Sequence, residues 1–388
     1  VIPSTLTGQQ AAQLLWDVLI VGAGPAGSAT AIAARREGLR VLIVDRSQFP
    51  RWKVCGCCIN ARALRALQAL GVGDLPAKHG AVPTVAMHLA SGRATARLDI
   101  AGGVALSRER FDAALIEAAI DRGASFLSGV DASAGVVEAG LRTATLREGE
   151  QSHSVAARMI VLATGLADRL TDAATSAAIV ARHARIGAAT VLSAHEAGDA
   201  WQRGRIYMAV GRGGYVGAVR LEDDRLEIAA SFDPAASRPA GGPGPLATKL
   251  FSSAGWRVEA NLATALWRGT PYLTRRRTRL GAERVLMVGD AAGYVEPFTG
   301  EGMAWALQGG AMLGPHLRDA ATDWSPNVVV AWERAYRQAL SRRHTTCRWV
   351  TRLLRRPMLT AGAIRALALW PSAGRSVVRS IAPAAGFR

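Results

Sequence analysis

An α/β fold with a Rossmann-like dinucleotide-binding unit is predicted by three observations. The first is the apolar run "DVLIVG" (17–22), the kind of segment that a parallel strand buried on both faces requires. The second is the trio Gly22, Gly24 and Gly27, which sets G-x-G-x-x-G where that strand turns into an Ala-rich helix. The third is a second apolar strand ending in Asp45, eighteen residues after Gly27.

Each element has a physical task. Gly22 permits the tight turn, Gly24 lets a pyrophosphate approach the backbone, and Gly27 lets helix and strand pack closely. Pro25 and Ala26 open the helix, whose free N–H groups and positive dipole end face the phosphates. Asp45, followed by Arg46, stands where an acid binds ribose hydroxyls. FAD and NAD both fit this unit. Further along, "MIVLA" is another buried strand ending in Ala163-Thr164-Gly165, and "RVLMVGD" is a third, leading into a glycine-punctuated loop and an apolar helix.

The bulk properties bound the rest. A chain of 388 residues, 49% hydrophobic and 20% charged, is long enough for two or three lobes. It has no low-complexity tract, no repeat, and no apolar run of the roughly 18 residues that span a bilayer. The opening "VIPSTLTGQQ" lacks the basic region and apolar core of a signal peptide. Four cysteines, three of them crowded into 55–58, make no disulfide framework, so a reducing cytoplasm is expected.

The net charge is +17, and Lys53, Lys78 and Lys249 are the only lysines. Twelve arginines and no acid lie between Arg334 and Arg388, so the tail carries +12 of that charge. A uniformly basic surface would suggest nucleic acid; one basic end does not.

Taken in order, the motifs resemble those of FAD-dependent oxidoreductases of the p-hydroxybenzoate hydroxylase superfamily, over roughly residues 15 to 320. The resemblance implies a Rossmann-like FAD-binding domain of GR2 type, an inserted antiparallel-sheet substrate domain and a C-terminal helical lobe. FAD-binding segments fall at 15–80, 101–172 and 281–320, substrate-domain strands at 81–100 and 173–280, and the basic lobe at 321–388. By the same resemblance Gly289-Asp290 closes the last FAD strand, and Pro297, Gly300, Gly302 and Met303 run along the isoalloxazine. Arg108 approaches the phosphates from its helix start, and Thr164-Gly165 ends a cofactor strand.

"PRWKVCG" (50–56) matches a segment of the subgroup containing geranylgeranyl reductases, as does "PFTGEGM". That places Lys53, Cys55 and Gly56 near the flavin or the reaction cavity. Zinc is not expected, because no second Cys/His pair follows. Cys57 and Cys58 are expected to be packing residues, while packing and an active-site role both stay open for Cys55.

The expected reaction is oxidation, most directly hydroxylation, of a hydrophobic or aromatic metabolite, with reduction of an isoprenoid or other C=C bond as the rival. NAD(P)H or a partner reductase would supply electrons. The paired-Trp motif of tryptophan halogenases is absent, and of the aromatic signature of polyprenyl reductases only Tyr215 survives. Halogenation and a non-catalytic flavin-binding role rank behind. Lys53, Cys55, Pro297 and Glu301 are the catalytic candidates, and Tyr207, Met208, Tyr215 and Tyr272 the substrate-cavity candidates.

In the tail, helices are expected on either side of Pro357, with a further break at Pro371. Trp332, Tyr336, Leu340, Trp349, Leu353 and Leu354 are expected to form its packed face. The surplus arginines suit anionic lipid or an acidic carrier that presents substrate.

Overall fold

The computed structural model describes residues 1–166, 177–296, 298 and 300–370. Pro297, Pro371 and the end of the "ATGLADRL" stretch lie outside the described residues.

The chain weaves twice between two sheets. It opens with β1 (Leu15–Val21), α1 (Pro25–Arg36) and β2 (Val41–Asp45), a βαβ unit whose strands pair in parallel. A short β3 (Cys58–Ile59) and α2 (Ala61–Ala69, N-capped by Asn60) lead to the hairpin β4 (Val82–Ser91) and β5 (Ala94–Ala105). This hairpin belongs to the second sheet and runs past residue 100 to Ala105. The chain returns through α3 (Arg108–Ile120), β6 (Ser125–Ser128), β7 (Asp131–Glu138), β8 (Leu141–Glu148) and β9 (Gln151–Leu162). It crosses again for β10 (Ile186–Leu192), β11 (Arg205–Gly211), β12 (Gly214–Arg220), β13 (Leu226–Phe232), α4 (Pro243–Ser253) and β14 (Arg268–Tyr272). It comes back with β15 (Val285–Met287) and finishes in α5 (Gly302–Thr322), α6 (Asn327–Leu354) and α7 (Pro357–Leu369).

The first sheet has the parallel order β15-β9-β1-β2-β6, with β8 and β7 added antiparallel beside β9. Its central strands are largely apolar because helices cover it, and β2 is buried at every position. The second sheet has the order β14-β10-β13-β12-β11-β4-β5-β3 and is antiparallel except where β11 meets β4. In "GGYVGAVRLEDDRLEIAASFD" (213–233) the alternation of apolar and polar residues predicts an antiparallel hairpin, and the "EDD" stretch does turn β12 into β13.

Helix α6 is tied to the first sheet by Trp332, whose Nε1 donates to the Met287 carbonyl at 2.9 Å. Trp332, Tyr336, Leu340 and Leu354 are buried, but Trp349 and Leu353 are exposed, which corrects the expectation that all six form one packed face. The helix is 28 residues long and keeps a buried side through Cys347 to Leu354, while Trp349 and Leu353 fall outside it.

Candidate functional site

A cavity of about 1160 Å³ lies between the two sheets, walled by both. Its first-sheet end is built from the glycine motif. Gly22 has φ +104°, and a Cβ there would stand 2.4 Å from the Ala163 carbonyl oxygen. At Gly27 a Cβ would fall 1.8 Å from the Gly22 oxygen, so these two positions accept nothing larger. Gly24 differs: it faces the cavity, and the nearest atom to a Cβ there is Arg51 Nη2 at 3.6 Å. It is the N-cap of α1 and carries no side-chain cap, so N–H groups of the first turn are left for a ligand. Asp45 is fixed beside them, its Oδ2 accepting from Ala23 N and its Oδ1 from Ser47 N, both at 2.8 Å.

Three cations surround this end. Arg108 donates through Nε and Nη2 to Asp112 at 2.7 and 2.8 Å, a buried bidentate pair one helical turn long. Arg51 lies 3.7 Å from Asp45 and 3.6 Å from Asp112. Lys53 has no carboxylate within 4 Å among the described residues, and its pKa is lowered by burial and then by Arg51 and Arg108. Asp290 is pushed up to about 6 by burial, against the pull of Lys53 and Arg108. A buried ammonium repelled by two guanidiniums calls for an anion, and a cofactor pyrophosphate would supply it. The residues therefore fit a dinucleotide.

The cysteines divide by direction. Cys57 has φ +51° and turns its side chain into an apolar cluster with Val82, Ala105, Val219 and Leu221. Cys55 and Cys58 line the cavity. Packing alone thus describes Cys57 but leaves Cys58 on the cavity wall, because its pairing with Ala105 in β5 fixes its side. Burial pushes Cys58 up to about 12. Cys55 goes the other way, to about 6: a hydrogen bond from the Cys57 thiol and the nearby Arg108 guanidinium favour its thiolate and outweigh burial. Cys55, Cys57 and Cys58 are free thiols, and no metal-binding cluster occurs among the described residues.

On the opposite wall Met208 and Tyr215 face the cavity, and Phe298 meets Tyr215 edge-on at 5.0 Å. Tyr207 does not line the cavity. Adjacent strand residues point to opposite faces, so Tyr207 instead packs against Trp201 and Trp256 at 4.9 and 5.4 Å. Tyr272 ends the edge strand β14 and is exposed rather than cavity-facing.

Pro25, Ala26, Arg46, Gly56, Thr164, Gly165, Gly300, Gly302 and Met303 line the cavity with the residues above. Gly27 and Gly289 sit behind it; a Cβ on Gly289 would lie 2.7 Å from the Ala26 side chain. Glu301 is turned away. Its Oε1 accepts from Arg62 Nη1 at 2.8 Å, so it links α2 to the start of α5 rather than facing a substrate.

Sequence reasoning passed over Glu227. It lies on the cavity wall, 1% exposed, on β13. Trp52 Nε1 donates to its Oε2 at 3.3 Å, while Oε1 is buried without a partner. Burial, with the Cys55 thiolate next in effect, holds its pKa well above the carboxylate range. An acid in an alternating strand resembles a solvent-facing residue, and its apolar neighbours Leu226 and Ile228 point to the other face of β13, so the local sequence does not mark its burial.

A family profile described as FAD binding domain matches residues 16–343, and the chain belongs to that family. It is accordingly an FAD-dependent oxidoreductase. It is 26% identical over 342 residues to a menaquinone reductase of Mycobacterium tuberculosis, covering 82% of this chain and 81% of that one. It is 28% identical over 316 residues to digeranylgeranylglycerophospholipid reductase 1 of Methanopyrus kandleri, covering 77% and 79%. Among solved structures, a flavin-dependent brominase superposes with TM-score 0.77 at 15% identity over 95% of this chain and 94% of that one. A geranylgeranyl bacteriochlorophyll reductase-like protein of Thermoplasma acidophilum gives TM-score 0.73 at 18% identity, covering 95% and 97%. These two likenesses concern the fold.

Proposed function

We propose that the protein reduces a carbon–carbon double bond of an isoprenoid-type substrate. The observation that carries this reading is Glu227, a buried acid with one unpartnered carboxyl oxygen, whose protonated form burial favours, facing the same cavity as the cofactor loop. Saturating a double bond needs a hydride on one carbon and a proton on the other. Reduced FAD would supply the hydride. Gly24, Asp45, Arg51, Lys53 and the α1 N-terminus would hold its pyrophosphate and ribose, and Asp290, Gly300, Gly302 and Met303 its flavin end. Glu227 would deliver the proton from Oε1, the oxygen that no protein group occupies, while Trp52 fixes the carboxyl through Oε2. Met208, Tyr215 and Phe298 give an apolar wall suited to a hydrocarbon chain and exclude water from the transfer.

The named activities of the two sequence relatives, both reductases, support this order over hydroxylation. Hydroxylation stands second, since an apolar enclosed cavity also suits a reaction with oxygen. The test is incubation of chemically reduced enzyme, without oxygen, with a panel of isoprenoid quinones and polyprenyl lipids. A product still two mass units heavier after air has returned any quinol to quinone supports reduction of the double bond. Product only when oxygen is admitted, carrying one added oxygen atom, supports hydroxylation and overturns the first reading.

A further inference from the structure

We propose that the outer face of the α6–α7 hairpin docks on an anionic lipid bilayer. Along the distal half of α6 and into the turn that follows it, Arg342, Trp349, Arg352, Leu353 and Arg356 recur at helical spacing and are all exposed. On α7, Met358, Arg365 and Leu369 continue this pattern, ending at Trp370. Trp349 is 65% exposed, Met358 89%, Leu369 73% and Trp370 62%, values unlike those of residues serving a core. From Arg334 to Trp370 there is no acidic residue. Among the described residues no carboxylate lies within 4 Å of Arg342, Arg348, Arg352, Arg356 or Arg365. Arg352 instead lies over the Trp349 ring at 5.1 Å.

Large apolar side chains interleaved with unpaired arginines match the two layers of a membrane surface. Tryptophan, methionine and leucine enter the headgroup–acyl boundary, and guanidiniums meet anionic headgroups. A second copy of this chain would bring the same positive charge to the contact and be repelled. An acidic carrier would satisfy the arginines but leave bulky apolar groups at both ends of the hairpin without use.

The hairpin's inner side explains why docking there would matter. Leu354 and Ile364 pack in one apolar cluster with Leu89, Met208 and Tyr215, the last two of which line the cavity. One element therefore has its outer face on the proposed bilayer and its inner face on the cavity wall. The docking itself does not depend on which reaction the cavity performs.

The test is co-sedimentation of the full-length flavoprotein with phosphatidylcholine vesicles, and with vesicles containing phosphatidylglycerol, at low and high salt. Preference for the anionic vesicles by roughly a hundredfold or more, lost at high salt, is expected. Each arginine near an anionic surface is worth roughly fivefold in partitioning, so R352Q/R356Q should lower it about 25-fold. Trp349→Ser with Met358→Ser should weaken binding without changing flavin content or melting temperature. Equal binding to neutral vesicles, no binding to either kind, or wild-type binding by both double variants would overturn the proposal. Capture by an acidic carrier with no vesicle binding would overturn it in favour of a protein partner.

Discussion

The two ends of the cavity are built differently. At the first-sheet end the backbone sets the working groups: a helix N-terminus without a cap, glycines that admit no side chain, and an aspartate fixed by two N–H groups. At the second-sheet end they are side chains, including a carboxyl with one oxygen left unsatisfied. Backbone geometry restricts sequence tightly, so the first end leaves a spaced motif. The second end asks only for volume and polarity at points on a sheet, which many sequences can supply. Cofactor and reaction are thus unequally legible.

Gly24→Val gives the largest contrast at the first end. A Cβ there meets protein no closer than 3.6 Å, so the variant should fold, with unchanged circular dichroism, yet purify colourless. Gly27→Val, which drives a side chain into the Gly22 carbonyl, should instead fail to fold. Equal flavin content in Gly24→Val and wild type would remove the pyrophosphate from this loop.

At the second end, Glu227→Gln should slow turnover by about 10²- to 10⁴-fold while leaving flavin content intact. The wild-type rate should fall as pH rises through the raised Glu227 pKa, because only the protonated acid donates. That alkaline limb should vanish in Glu227→Gln. A variant that loses flavin would instead make Glu227 part of the cofactor cradle.

Asp45→Ala should weaken FAD binding by about 1–3 kcal/mol, the scale of charge-assisted hydrogen bonds, measured by titrating apoprotein. A smaller effect is expected between the two ends. Cys55 should be alkylated by iodoacetamide with a pH midpoint near 6, where its thiolate forms. Cys57→Ala removes the largest cause of that lowering and should move the midpoint upward. An unmoved midpoint would leave Arg108 as the group that stabilises the thiolate.

The βαβ unit, Asp45, Asp290 and the hairpin around "EDD" were all visible in the sequence, because turn chemistry and buried apolar runs are local signals. The direction of single side chains was not. Tyr207 and Met208 share a strand and an aromatic or apolar character, and only the register of β11 between β4 and β12 decides which one faces the cavity. Glu301 lies beside cavity-lining glycines, yet Arg62, 239 residues away in sequence, draws it out of the site. Glu227 was hidden for the converse reason: nothing local marks an acid whose burial comes from the segment carrying Trp52.

The most direct test is rapid mixing of anaerobically reduced enzyme with an isoprenoid substrate, following the return of oxidised-flavin absorbance. Wild-type flavin should be reoxidised by substrate alone, one equivalent of product per flavin, with Glu227→Gln at least a hundredfold slower. Flavin that stays reduced with every isoprenoid substrate until oxygen is admitted would contradict double-bond reduction at this site.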